Sequence, residues 1–383
     1  MRMFCVCAVA ALMFGCGGTQ PTSSSEAPVP TPSSDNTDGT VIDVLAHVFT
    51  WHGKGDWGTA ATIPWRSDGN GIGYDSTDRN IIEEQVEEMS RYGLTALVSW
   101  QGPGDERGGD PFLNAWLSVD PSVKAAILYE GENRLRRDRD RWWTVDAEDN
   151  ARTIRNDLTH LYETYWSRDP ERWYRRDGRF VFMLWPGHAM RGDLKAVLDA
   201  VPFRERLYIV TTEFDGLRPP DDSRLGMLAG ADAVTGYGFY SKPLMSDYPV
   251  DPSTGVVPLS DELIERYRMA SVRWRDFLAE RLPGCELILP LEFAFDDTKL
   301  PWRDNPIYEA TPEQGLKLAT TVRHLVQDSL TTCGTIAPVV TLPSYNEHHE
   351  GTALEPNDRF GLQWLELVEK AFARGPLAPA TCR

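Results

Sequence analysis

Apolar residues along this chain gather into short continuous runs, separated by stretches with helical spacing. Eight runs stand out: VIDVLAHVF from Val41, LTALVSW from Leu94, KAAILYE from Lys124, RFVFMLW from Arg179, RLYIVTT from Arg206, ADAVTGYGF from Ala231, CELILPLEF from Cys285 and TIAPVVTLP from Thr335. They are β-branched and apolar at nearly every position, as parallel strands covered on both faces should be. Between several of them apolar residues recur at three- and four-residue steps. Ile82, Val86 and Met89 share a helical face that Gly93 ends. Ile154, Leu158, Leu161 and Tyr165 form a second stripe, and Leu263, Tyr267, Ala270, Trp274 and Phe277 a third. Thr311-Pro312-Glu313-Gln314 reads as a capping box with Pro at the first helical position, ahead of Leu318, Val322 and Leu325. Leu365, Val368 and Phe372 mark a last helix.

Eight strands in βα alternation predict a (β/α)8 TIM barrel, a single domain over residues 41–383. An open doubly wound sheet is the alternative. The segment after the first strand, TWHGKGDWG, lacks the GxGxxG spacing that such a sheet uses to hold phosphate. No repeat of solenoid length is present.

The residues ahead of the barrel have a different character. MRMFCVCAVAALMFGC, residues 1–16, has one positive residue, Arg2, and an apolar run of secretory length. It ends in Gly15-Cys16, which resembles a bacterial lipobox, so Cys16 is expected to carry lipid. Residues 17–40 are Ser, Thr, Pro and Gly with little that is apolar, the composition of a disordered tether. The expectation is an exported lipoprotein, periplasmic or at the cell surface, held to the membrane through its N-terminal lipid only. Cys285, Cys333 and Cys382 remain in the mature chain, and a Cys285–Cys333 disulfide is open to an exported protein.

A formal net charge of −18 argues against nucleic acid and anionic lipid surfaces as partners. A neutral glycan fits that charge. Thirteen Trp residues fit it too, either as sugar-stacking platforms or as ordinary core and surface residues.

In a barrel the site forms where the strands end. The first run ends in His47, Phe49, Trp51 and His52. The next ones end in Trp100, Tyr129-Glu130, Trp185 with His188, Glu213, Tyr237 with Tyr240, and Glu292. The eighth leads into SYNEHHEGT, Ser344 to Thr352. Aromatics and carboxylates on one rim are the composition of a sugar cleft. Within SYNEHHEGT three readings compete. Adjacent His348 and His349 point in different directions and rarely grip one ion, and neither HExxH nor DxDxDG occurs, which disfavours metal. Glu347 and Glu350, three apart, fall on one face of a helical turn and suit the two carboxyl groups of glycoside hydrolysis. A crowded polar turn remains the third reading.

Several segments together resemble glycoside hydrolase family 99, the endo-α-mannosidases and endo-α-mannanases. SYNEHHEGT resembles the family's SFNEWHEGT. GYDSTD at Gly73, LVSWQGPG at Leu97, ILYEG at Ile127, GADAVTGYGFY at Gly230 and DDTKLPWRDNPIYE at Asp296 resemble its other landmarks, in order. His348 stands where the family has Trp, HVFTWHG is a poor copy of its first-strand motif, and Glu130-Gly131-Glu132 replaces Glu-Pro-Tyr. The resemblance implies a retaining, endo-acting hydrolase of α-mannosidic or related links. Glu350 would be the general acid/base, and Glu347 the base that deprotonates the sugar's 2-hydroxyl on the way to a 1,2-anhydro intermediate. Trp100, Glu130 and Tyr237 would bind the sugar, and Trp51, Tyr240, Asn346 and His349 join them as substrate-binding candidates. No cofactor or metal is implied, the partner is an oligosaccharide, and the protein is expected to be a monomer. The rival is a surface lipoprotein that binds glycans without cutting them.

Overall fold

A computed structural model describes residues 41–372, apart from residues 54, 68, 70–71, 120–122, 215–219, 239–247, 304 and 333. The signal and tether expectations, Tyr240, Cys333 and Cys382 therefore lie outside the described residues.

All eight apolar runs are strands of one closed parallel barrel: β1 (Asp43–Val48), β2 (Leu94–Trp100), β3 (Ala125–Glu130), β4 (Arg179–Trp185), β5 (Leu207–Thr212), β6 (Ala233–Thr235), β7 (Glu286–Pro290) and β8 (Ile336–Leu342). Each pairs with its neighbours in sequence, and β8 returns to β1, for example Val340 opposite Val44. A helix follows every strand: α1 (Arg79–Arg91), α2 (Asp110–Leu117), α3 (Glu148–Leu161), α4 (Leu194–Asp199), α5 (Leu225–Leu228), α6 (Asp261–Arg281), α7 (Pro312–Thr332) and α8 (Gln363–Phe372). The fold is a (β/α)8 barrel.

Local chemistry explains the long helices. Asp78 caps α1 by accepting from Asn80 N at 2.9 Å, and Ser260 caps α6 by accepting from Leu263 N at 3.1 Å. The capping box of α7 closes in both directions: Gln314 N donates to Thr311 Oγ1 at 3.3 Å, and Thr311 N donates to Gln314 Oε1 at 3.2 Å. The short helices α2, α4 and α5 give too few turns for periodicity to show.

The apolar core has two layers, set by alternation along each strand. On β4, Phe180, Phe182 and Leu184 face the helices, while Val181 and Met183 fill the barrel. On β2, Ala96, Val98 and Trp100 face outward and Leu97 inward. This parity decides which strand-end side chains reach the upper mouth of the barrel. Cys285, just before β7, is a buried free thiol that burial pushes up to about 12.

Candidate active site

A cavity of about 830 Å³ opens at the C-terminal ends of the strands. Its floor and walls come from the segment after β1 (Phe49, Trp51), β3 (Glu130), β4 (Trp185), the segment after β6 (Tyr237) and the loop after β8 (Glu347, His349, Glu350). Longer loops add Trp143 and Arg137 after β3, and Leu300, Trp302 and Arg303 after β7.

The SYNEHHEGT loop is fixed to β1 before it reaches the cavity. Tyr345 N donates to His47 O at 2.8 Å, continuing the strand pairing. Asn346 clamps the end of β1 with its amide: Oδ1 accepts from Phe49 N at 2.7 Å, and Nδ2 donates to Phe49 O at 2.9 Å. Glu347 N donates to Ser344 Oγ at 2.6 Å, and the chain then turns over residues 348–351. Gly351 ends the turn at φ 64°, a left-handed conformation that glycine adopts without steric cost. Beside it, Asp296 N donates to Glu350 O at 2.6 Å, joining the turn to the loop after β7.

The turn presents Glu347 and Glu350 to the same cavity in opposite states. Burial and the neighbouring Glu347 charge push Glu350 up to about 7, although Arg303 Nη2 lies 3.2 Å from its Oε1 and Tyr237 donates its hydroxyl to Oε2 at 3.1 Å. Burial would raise Glu347 as well. There, however, the backbone N–H of His349 at 2.9 Å and its ring Nδ1 at 3.3 Å hold the carboxyl below its ordinary range. Glu130, beside Glu132, is a further wall carboxyl. Burial pushes it up to about 8, opposed by the Ser99 hydroxyl that donates to it at 2.8 Å. A protonated and an ionised carboxyl on one turn can deliver a proton and accept another on the same ligand.

Aromatic rings surround these carboxyls. Trp51 packs on Phe49 with centroids 4.3 Å apart, Trp185 on Tyr237 at 4.9 Å, and the Arg137 guanidinium lies 4.0 Å over Trp143. Among the described residues no group of three or more His, Cys, Asp or Glu side chains is placed to hold a metal ion, and no helix is long and apolar enough to cross a membrane.

Comparison with solved structures was made on this fold. A structure described as a glycoside hydrolase-like protein superposes with a TM-score of 0.66 at 17% identity, covering 90% of this chain and 97% of that one. The glycoside hydrolase family 99 endo-α-mannosidase from Bacteroides thetaiotaomicron superposes with a TM-score of 0.55 at 14% identity, covering 86% and 95%. The likeness establishes a shared fold. No protein-family model matches the sequence, and no curated protein matches it significantly.

Of the residues singled out from sequence, Glu347, Glu350, Glu130, Tyr237, Trp51 and His349 meet at the cavity. Two do not. Trp100 is fully buried on the outer side of β2, its Nε1 donating to Asp110 at 3.3 Å and its ring stacked near His160. Strand parity puts Ser99, not Trp100, on the inner face. Asn346 is spent on β1 and does not line the cavity. Glu213, expected near the rim, is held by Arg224 at 2.7 and 3.1 Å, outside the cavity lining.

His348 turns away from the cavity altogether. Its Nε2 meets Glu355 Oε2 at 2.9 Å and its Nδ1 meets Thr62 Oγ1 at 2.9 Å, both in the interior. Glu355 also accepts from Arg66 at 2.7 Å and Tyr74 at 2.5 Å. Tyr345 and His348, the two positions where the sequence departs from SFNEWHEGT, thus both belong to a buried polar cluster behind the turn, Tyr345 donating its hydroxyl to Glu88 at 2.9 Å. Trp302 and Arg303 lie in the DDTKLPWRDNPIYE landmark but were given no role from sequence, and Trp143 and Arg137 were not found because they sit in a long loop with no periodic pattern to place them.

Proposed function

We propose that the protein is a retaining, endo-acting glycoside hydrolase that cleaves α-mannosidic or related linkages in an oligosaccharide. The observation that carries this reading is the Glu347/Glu350 pair: one carboxyl ionised and one keeping its proton into the neutral range, on one turn, facing a cavity walled by tryptophans. The fold shared with the endo-α-mannosidase structure supports it.

In this reading Glu347 takes the proton of the sugar's 2-hydroxyl as that oxygen attacks the anomeric carbon. The bond to the leaving sugar breaks, and Glu350 gives its proton to the departing oxygen. Water then attacks the anomeric carbon of the 1,2-anhydro sugar. Glu350 accepts a proton from that water, and Glu347 returns its proton to O2. Two inversions leave the configuration retained. Glu130, with its proton, donates to a sugar hydroxyl, and Trp51, Trp185 and Tyr237 give flat faces for the rings.

Glu350→Gln keeps the shape and removes the proton donor. Hydrolysis of an activated α-mannosyl oligosaccharide is expected to fall by about 10²–10⁴-fold, and full activity in that variant would end this assignment. Binding of mannans or N-glycans by the wild type with no cleavage would favour the non-catalytic binder. The N-terminal sequence supports export with lipid on Cys16. Metabolic labelling with a fatty acid is expected to mark the wild type and not Cys16→Ser.

A further inference from the structure

We infer that His349 is an imidazolium at neutral pH, and that it forms with Glu347 one ion pair in which the ring orients the carboxylate and keeps it unprotonated. The catalytic consequence rests on the hydrolase reading above. The protonation state is a property of the free protein.

Both ring nitrogens of His349 face oxygen acceptors. Nε2 lies 2.9 Å from the backbone carbonyl oxygen of Asp56. A carbonyl oxygen only accepts, so Nε2 carries a hydrogen. Nδ1 lies 3.3 Å from Glu347 Oε1. With its hydrogen on Nε2, a neutral ring would aim the Nδ1 lone pair at a carboxylate oxygen. That oxygen already accepts the His349 backbone N–H at 2.9 Å. One more proton therefore belongs between Nδ1 and Oε1, on the ring or on the carboxyl.

The surroundings favour the ring. Four other charged or titratable groups face the pair: His52, Asp56, Glu130 and Glu350. His52, at the end of β1, stacks on His349 with centroids 5.4 Å apart and planes 12° from parallel. Asp56, in the loop after β1, adds a carboxylate paired with Arg107 at 3.2 Å. Glu350 shares the turn. His52 cannot take the charge, because its Nε2 donates to Asn346 O at 2.8 Å and burial pushes it down to about 4. As a neutral ring it offers its π face to the cation above it, and Trp57 backs it at 5.0 Å. Burial works against a charge on His349, but Glu347 and Asp56 together raise it above the ordinary imidazole range.

His349 is therefore a positioning residue for the base. With the imidazolium in place, Glu347 is fixed by two donors from one residue, and its free oxygen is left for a sugar hydroxyl. Without the charge, Glu347 becomes a second carboxyl that burial drives toward protonation.

The test is nitrogen-15 NMR of the imidazole rings of the full protein, with the His349 signals assigned from their loss in His349→Gln. Two ring N–H signals at pH 7, titrating above the ordinary imidazole range, are expected. A single ring N–H at pH 7 would place the proton on Glu347 and overturn the inference. Kinetics test the role. In His349→Gln the acid limb of the kcat/KM profile is expected to move up by about one pH unit, with kcat at pH 7 about tenfold lower and KM little changed. A folded His349→Gln whose acid limb stays in place would overturn it. A wild type that cleaves no glycan would remove the hydrolase reading and leave the ring spectrum to decide the protonation state alone.

Discussion

Glu355 and Glu350 stand on one loop, both largely withdrawn from water, and they are held in opposite ways. Glu355, behind the turn, receives His348, Arg66, Tyr74 and Gln85. Burial alone would raise it, yet those partners hold it at about 2. Glu350, in front of the turn, has Arg303 and Tyr237 but also the charge of Glu347, and it rises to about 7. Glu355 is the deeper of the two, yet it is the one held ionised, so compensation and not depth decides. A carboxyl whose lone pairs are all engaged serves as a fixed anion that anchors chain. A carboxyl left short of donors keeps a proton and an open face, which chemistry requires. The turn places the first kind on its back and the second on its front.

The largest effect expected from breaking this contrast is on the front. Glu350→Gln removes turnover while leaving thermal stability unchanged or slightly raised, since a neutral amide has no ionised form to desolvate. A large fall in Tm, read by calorimetry, would move Glu350 to the anchoring class. Next is Arg66→Met, which strands Glu355 and Glu88 without their cation. A loss of about 3–5 kcal/mol in denaturant unfolding is expected, with the activity of the remaining folded protein within a few-fold of wild type. Stability equal to wild type would show that the back of the turn does not depend on the ion cluster.

A smaller effect concerns pH. Glu355, held low, contributes stability that is complete above the ordinary carboxylate range and is lost as pH falls toward about 2. Glu130 acts in reverse. The folded chain keeps a proton that the unfolded chain releases near 4.5, so stability declines as pH climbs from there through about 8. Glu130→Gln is expected to flatten that alkaline decline, with Tm at pH 9 higher by about 2–4 °C. An unchanged slope would show that Glu130 ionises freely. The smallest effect tests the two faces of a strand. Trp100→Phe should lower Tm slightly and leave glycan cleavage unchanged, whereas Trp185→Ala should raise KM for the oligosaccharide. Equal effects on KM would refute the parity that separates them.

Much of the barrel was legible because it rests on local pattern. Eight apolar runs became eight strands, and the Thr311–Gln314 box capped the helix it announces. The rim was legible in part. Glu130, Tyr237, Glu347 and Glu350 stand at strand ends or on the loop after β8 and meet in one cavity. Trp100 failed for a definite reason: LTALVSW is covered on both faces, so hydrophobicity does not reveal which parity points inward, and a one-residue shift exchanges Ser99 for Trp100. His348 and His349 do point in different directions, but which of them turns inward was not legible. The partners of His348, Thr62 and Glu355, are brought in by tertiary folding, and nothing in EHHE tells the inward histidine from the outward one. Arg303 and Trp143 depend on the paths of long loops, which follow no period.

The clamp made by Asn346 has a consequence for how such a protein changes over generations. It holds the turn that carries Glu347 and Glu350 to the end of β1, apart from the loop after β3 that carries Trp143 and Arg137. That loop can be lengthened, exchanged or recombined while the turn stays where it is, so a lineage built this way is free to vary one wall of its cavity without moving the two carboxyls opposite.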